Sequence, residues 1–127
     1  LKRFSIIKKE RNRIHKQYKK LFNNIEGIKI QLFKENVSPV VWTFAFSINE
    51  KIFPKRDKII DILQKKKIET RNAFYSPCRL PLYKKYKTSH LKNSNFLSRN
   101  VICMPFYASL KNNQIEHIYN QFIKLKK

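Results

Sequence analysis

Apolar positions along this chain change period several times, and each change marks an element. Between about residues 4 and 22, Ile7, Ile14, Tyr18, Leu21 and Phe22 recur at helical spacing among Lys, Arg and Asn, which predicts a long amphipathic helix. It should end near Asn23-Asn24, with Gly27 the residue that takes a left-handed conformation cheaply. Ile28 to Leu32 then alternates as a strand, and a loop passes through Ser38-Pro39. Val40 to Ile48 alternates most cleanly. It puts Trp42, Phe44, Phe46 and Ile48 on one face, read as core, and the small residues Thr43, Ala45 and Ser47 on the other. Those small residues suit a sheet with something packed closely over it, or a half-buried strand facing solvent.

Pro54 precedes a second predicted helix in which Ile59, Ile60, Ile62 and Leu63 give an apolar face through about Lys66. Ile68 to Phe74 reads as a short strand, and Ser76 to Pro81 as irregular, because Pro77 and Pro81 remove donors and fix the backbone. The polar stretch Lys84 to Asn95 leads into a helical segment around Asn93 to Ser98. Val101 to Met104 is a brief strand ended by Pro105. A final helix from about Asn112 to Lys124 buries Ile115, Ile118, Tyr119, Phe122 and Ile123, with Lys124, Lys126 and Lys127 at its negative end. This order of helices and strands predicts a small α/β sandwich, and no internal repeat is visible.

With 127 residues, 42% hydrophobic and 13% aromatic, the chain has enough apolar surface for one modest core despite its charge. The formal charge of +21 invites a nucleic-acid reading. The excess is mostly lysine spread evenly along the chain, however, together with many Asn and Ile and a single Gly. An A/T-rich coding sequence produces that combination, and no zinc-finger, ribonucleoprotein or GxxG signature accompanies it, so a nucleic-acid partner is not expected. Cys78 and Cys103 have no CxxC partner and no histidine cluster, which indicates neither a disulfide framework nor a metal site. No apolar run is long enough to span a bilayer, and a cytoplasmic protein is expected. His15, His90 and His117 stand apart from one another and from any Asp or Ser constellation, and read as surface residues.

The segment Ile68-Glu69-Thr70-Arg71-Asn72-Ala73-Phe74-Tyr75-Ser76-Pro77-Cys78-Arg79-Leu80-Pro81-Leu82-Tyr83 resembles part of the DegT/StrS-type pyridoxal-phosphate-dependent nucleotide-sugar aminotransferases. Further blocks match in order. They are Ile7 to Asn12 running through Tyr18 and Leu21, Ile25-Glu26-Gly27-Ile28, Ser38 to Phe44, the Arg56-Asp57 helix start, and Asn100 to Leu110. The resemblance implies the small C-terminal domain of a fold-type-I aminotransferase, a short mixed or antiparallel sheet with helices packed on it. Residues 1–25 would form the long inter-domain helix and residues 26–127 the small domain. Nothing in the chain resembles the large domain that binds pyridoxal phosphate, and a chain starting inside the bridging helix reads as cut from something longer. Two departures stand out. Lys67 replaces the glycine that usually precedes the Ile-Glu-Thr-Arg motif, so the turn is expected to be strained or shaped differently, and Ser76 to Arg79 occupies the region where many members carry a histidine.

The implied reaction is transfer of an amino group from an amino acid, usually glutamate, to a keto-sugar carried on a nucleotide, in a homodimeric enzyme. No cofactor lysine, acidic partner or phosphate cradle can be placed in this chain, so no catalytic or cofactor-binding residue is assigned and the chain alone is expected to be inactive. It would instead supply one wall of the substrate cleft. Arg71 is the first candidate, as a guanidinium fork for carboxylate or phosphate, with a structural ion pair as the competing role. Phe74 and Tyr75 would line the sugar or nucleotide pocket unless they are core, and Arg79 would face diphosphate or solvent. Two other readings stay open: a non-catalytic docking domain that uses the apolar face of the first helix, and a basic polyanion-binding module.

Overall fold

A computed structural model describes residues 2–86 and 91–127, so part of the polar stretch before the third helix, with His90, lies outside the described residues. Helix α1 (Phe4–Phe22) leads to β1 (Ile28–Ile30) and β2 (Phe44–Ile48), then to α2 (Arg56–Lys65) and β3 (Arg71–Asn72). Two 3-10 turns, Pro77–Arg79 and Pro81–Tyr86, precede α3 (Lys92–Asn100), β4 (Val101–Met104) and α4 (Asn112–Ile123). The strands form an antiparallel sheet in the order β1-β2-β4-β3.

The register assigns the two faces. Phe44 opposes Met104, Phe46 opposes Ile102 and Ile48 opposes Ile28, and these pairs point to the side covered by α1 and α4. There Ile14, Tyr18 and Phe22 of α1 meet Ile115, Ile118 and Phe122 of α4 in one buried cluster. Tyr18 stacks on Phe44 at 4.8 Å and donates its hydroxyl hydrogen to the Pro105 carbonyl at 2.9 Å, which satisfies the polar end of a buried ring. Burial holds its phenol proton well above the usual range. The opposite face carries Ala45 against Cys103 and Ser47 against Val101, with Arg71 beside Cys103.

The strands are shorter than their patterns. Alternation from Val40 to Ile48 predicted Trp42 as core, yet β2 starts at Phe44 and Trp42 is 61% exposed. The reason lies in the partner strand: Phe44 pairs with Met104, and the next residue, Pro105, has no N–H to continue the ladder. The Trp42 carbonyl instead accepts from Arg11 Nη1 at 2.9 Å. The strand expected over 68–74 reduces to Arg71–Asn72, and that expected over 28–32 stops at Ile30. The irregular 76–81 stretch contains 3-10 turns. The predicted face of α1 is buried within the domain at Ile14, Tyr18 and Phe22, while Ile7 remains exposed in the first turns.

The helix-to-strand turn expected to be strained is so. Lys67 has φ 59, and α2 closes with Ile68 N–H donating to the Leu63 carbonyl and Lys67 N–H to the Gln64 carbonyl, each at 2.9 Å. This paired pattern requires a left-handed residue at Lys67, where a side chain is penalised. Lys67→Gly should therefore stabilise the fold by about 1 kcal/mol in urea titrations; a loss of stability would show that the Lys67 side chain contributes more than its backbone costs. Gly27, at φ 83, is also constrained by space: a Cβ there would lie 2.9 Å from Ile52 Cβ. Asn24, at φ 65, shares the task of reversing the chain after α1.

His15 is half-buried between Phe33 and Phe44, with ring centroids 6.0 and 5.9 Å away. Burial and the nearby Lys19 charge depress its pKa below the ordinary 6.5. The folded state thus binds a proton less readily than the unfolded chain. The stabilisation from a neutral His15 is complete above 6.5 and is lost as pH falls through the lower folded value. His15→Phe should lose less thermal stability than the parent between pH 7.5 and 5, and parallel losses in the two proteins would refute the assignment.

Candidate functional site

A groove of about 1110 Å³ runs from the small-residue face of the sheet around β3 to the polar side of α4. Each wall follows from the fold. Thr43, Ala45 and Cys103 are the small residues that the register places opposite the core. Edge strand β3 adds Arg71, and the chain leaving it adds Phe74. On α4 the groove meets Asn113, Gln114 and His117, which lie away from the buried Ile115 and Phe122. Trp42 also lines the groove, its ring centroid 6.2 Å from that of Phe74.

Among the sequence candidates, Arg71 and Phe74 share this groove, whereas Tyr75 and Arg79 are exposed on the following segment and do not line it. Phe74 is 81% exposed and Tyr75 is also at the surface, so neither belongs to the core. Arg71 takes part in an ion pair: its Nε and Nη2 both donate to Glu69 Oε1, at 3.0 and 2.6 Å. Because both side chains are mostly exposed, the pair is weak and exchangeable, leaving the guanidinium open to a competing carboxylate or phosphate. Asn113, Gln114 and His117 were not singled out for the groove by sequence reasoning. Their signal was the i, i+4 spacing of Asn113 and His117 on the polar side of the last helix, which is indistinguishable from an ordinary solvated face.

Burial pushes the Cys103 thiol up, a shift that a hydrogen bond from the Thr43 side and the Arg56 charge only partly oppose. Cys103 is thus a neutral thiol at neutral pH and a poor nucleophile. Both cysteines are free, and no cluster of potential metal ligands occurs among the described residues.

The groove residues do not assemble a pyridoxal phosphate site. Its lysine, Lys67, is exposed and fixed in the turn, and its acid, Glu69, is engaged by Arg71. A Schiff-base lysine needs an enclosed position and the pyridinium needs a carboxylate of its own. Every described lysine is at the surface, so the donor set within these residues does not fit the group.

A four-stranded antiparallel sheet with α1 and α4 on one face and a partly aromatic groove along β3 defines a small α/β domain. The chain belongs to the DegT/DnrJ/EryC1/StrS aminotransferase family, which it matches over residues 1–123. It is similar to an uncharacterized protein of Methanocaldococcus jannaschii, with 28% identity over 130 residues, covering 98% of this chain and 33% of the relative. Its fold matches the Helicobacter pylori aminotransferase PseC, involved in pseudoaminic acid biosynthesis, with TM-score 0.83 and 19% identity over 98% of this chain and 34% of that one. It also matches S. venezuelae DesV, solved in complex with a ketimine intermediate, with TM-score 0.83 and 17% identity over 96% of this chain and 32% of that one. The chain thus spans about a third of the length of these proteins.

No described helix is long and apolar enough to cross a membrane.

Proposed function

We propose that this domain forms one wall of the substrate cleft of a pyridoxal-phosphate-dependent aminotransferase that moves an amino group from an amino acid, glutamate in the first instance, to a nucleotide-linked keto-sugar. The observation that carries the reading is the groove itself. It joins an exchangeable guanidinium, Arg71, to exposed aromatic surface at Phe74 and Trp42 in a chain that belongs to this family. Arg71 would leave Glu69 for a substrate carboxylate or phosphate, Phe74 and Tyr75 would pack on the sugar or nucleotide, and Arg79 would offer a second charge to diphosphate. In this reading α1, within residues 1–25, is the helix that joins the domain to the cofactor-binding part. Residues 26–127 are the small domain of a cytoplasmic homodimer.

The first test is the coding DNA immediately 5′ of the Leu1 codon. An open frame carrying a cofactor lysine and its acidic partner supports the proposal, and stop codons there refute it as stated. In a polypeptide containing both parts, Arg71→Ala should raise KM for one substrate about tenfold while leaving the KM of the other unchanged. Arg71→Lys should not restore it, because an ammonium lacks the two-pronged donor geometry. Unchanged KM values for both substrates would confine Arg71 to its pairing with Glu69.

A further inference from the structure

Beyond Phe44 and Met104 the β2–β4 ladder stops, yet the two strand ends stay tied. Continued two residues further, the same register would set Trp42 opposite Phe106, and Pro105 withholds an N–H at the position between. Side chains of α1 supply contacts in its place. Arg11 Nη1 donates to the Trp42 carbonyl at 2.9 Å, and the same guanidinium lies 5.7 Å from the centroid of the Phe106 ring. Two turns along the helix, the Tyr18 hydroxyl donates to the Pro105 carbonyl at 2.9 Å, and between them His15 packs on Phe33 and Phe44. Arg11, His15 and Tyr18 follow at i, i+4 and i+7, so one stripe of α1 holds both strand ends.

Trp42 depends on this stripe because its own segment holds it so little. Among the described residues, segment 31–43 makes one backbone–backbone hydrogen bond outside the ladders, Val37 N–H to the Lys34 carbonyl at 3.0 Å, which lies away from Trp42. Trp42 and Phe106 both line the groove, and Arg11 touches both without lining it. The Trp42 ring in turn stands 6.2 Å from Phe74, where the aromatic segment 74–86 begins. We infer that Arg11 is a positioning residue: by holding the Trp42 carbonyl and the Phe106 ring it fixes the aromatic end of the groove, and so sets the apolar surface offered to the sugar or nucleotide. What occupies the groove rests on the aminotransferase reading, whereas the hold on Trp42 does not. A guanidinium suits the task because it can donate from one edge while lying over a ring, which an ammonium does only in part.

Trp42 is the chain's single tryptophan, so emission from the 127-residue chain reports its position alone. Arg11→Met should about double acrylamide quenching of Trp42 and add a faster component to its anisotropy decay. Arg11→Lys should fall between Arg11→Met and the parent. Gln17→Met removes a hydrogen bond from the same helix to Glu116 on α4, and should leave both readings at the parent's values. The Arg11 bond lies at the surface, so these variants should keep the parent's circular dichroism. Unchanged Trp42 readings in Arg11→Met, or an equal change in Gln17→Met, would overturn the inference. In a polypeptide containing both parts, Arg11→Met should raise KM for the nucleotide sugar about fivefold and leave kcat within about twofold. Added to Trp42→Ala it should have no further effect, because the two changes act through one contact. A further rise in KM on top of Trp42→Ala, or an unmoved KM while Trp42 loosens, would also overturn it. Should the parent polypeptide transfer no amino group to a nucleotide sugar, the aminotransferase reading falls and the Trp42 readings alone decide whether Arg11 positions the groove.

Discussion

Replacing Phe22 by alanine should lower stability by about 4 kcal/mol, the largest loss expected from a single truncation in this domain. Phe22 is fully buried at the end of α1 and is the ring on which three elements converge. Its centroid lies 5.8 Å from Phe44 and 5.0 Å from Phe46 on β2, and 5.3 Å from Tyr119 and 5.6 Å from Phe122 on α4. Truncation would remove its transfer energy and open a cavity lined by rigid rings, which cannot collapse to fill it. A loss of this size is a large part of the roughly 5–15 kcal/mol that holds a domain folded, and it should lower the melting temperature by about 15 °C. Phe4→Ala, on the same helix but 55% exposed, should cost less than about 0.5 kcal/mol. A Phe22→Ala loss below about 2 kcal/mol in urea unfolding would mean that the aromatic cluster repacks.

Arg56→Ala should cost about 3 kcal/mol, although arginine is an unusual residue to find buried at a helix start. The positive end of the α2 dipole disfavours a cation there, so its reason is tertiary. Arg56 is 6% exposed; its Nη1 donates to the Ser98 carbonyl of α3, and its Nε donates to Asp57 Oδ1 at 2.9 Å. Ser98 in turn holds the Ser76 backbone, so one guanidinium ties α2 to α3 and, through it, to the aromatic segment. Removing it leaves a buried carbonyl without a donor, while Asp57, 80% exposed, simply returns to water. Arg56→Lys should recover only part of the loss, since it cannot serve both partners from one plane. Trypsin cleavage after Lys84 or Lys85 should accelerate in Arg56→Ala before global unfolding sets in. Destabilisation with an unchanged cleavage rate at those sites would separate α3 from the segment.

The elements that could be read early are those whose own residues bury one another. Ile14, Tyr18 and Phe22 repeat at helical spacing, as do Ile115, Ile118 and Phe122, and both sets reach the core. Lys67 was legible as strained because a left-handed turn penalises any side chain, whatever surrounds it. Trp42 was misread for a reason located outside its own segment: the ladder of β2 stops where Pro105, sixty-odd residues on, withholds its N–H. Arg71 and Phe74 were legible only through the resemblance of their motif, and their exposure beside Trp42 is set by the fold. The contribution of Asn113, Gln114 and His117 to the groove could not be seen, because a polar helix face looks the same whether it borders a cleft or bulk solvent.

Sequence by itself determined the local matters: the main helices, the pairing-competent apolar runs, the family, and a strongly one-sided charge. These depend on side chains a few residues apart, or on totals that folding does not change. Tertiary structure alone decided where the sheet ends, which aromatic residues face water, and which acid engages Arg71. Each of those depends on a partner that the chain brings close only when it folds, and a backbone donor or an exposed ring carries no mark of that partner in its neighbours along the sequence.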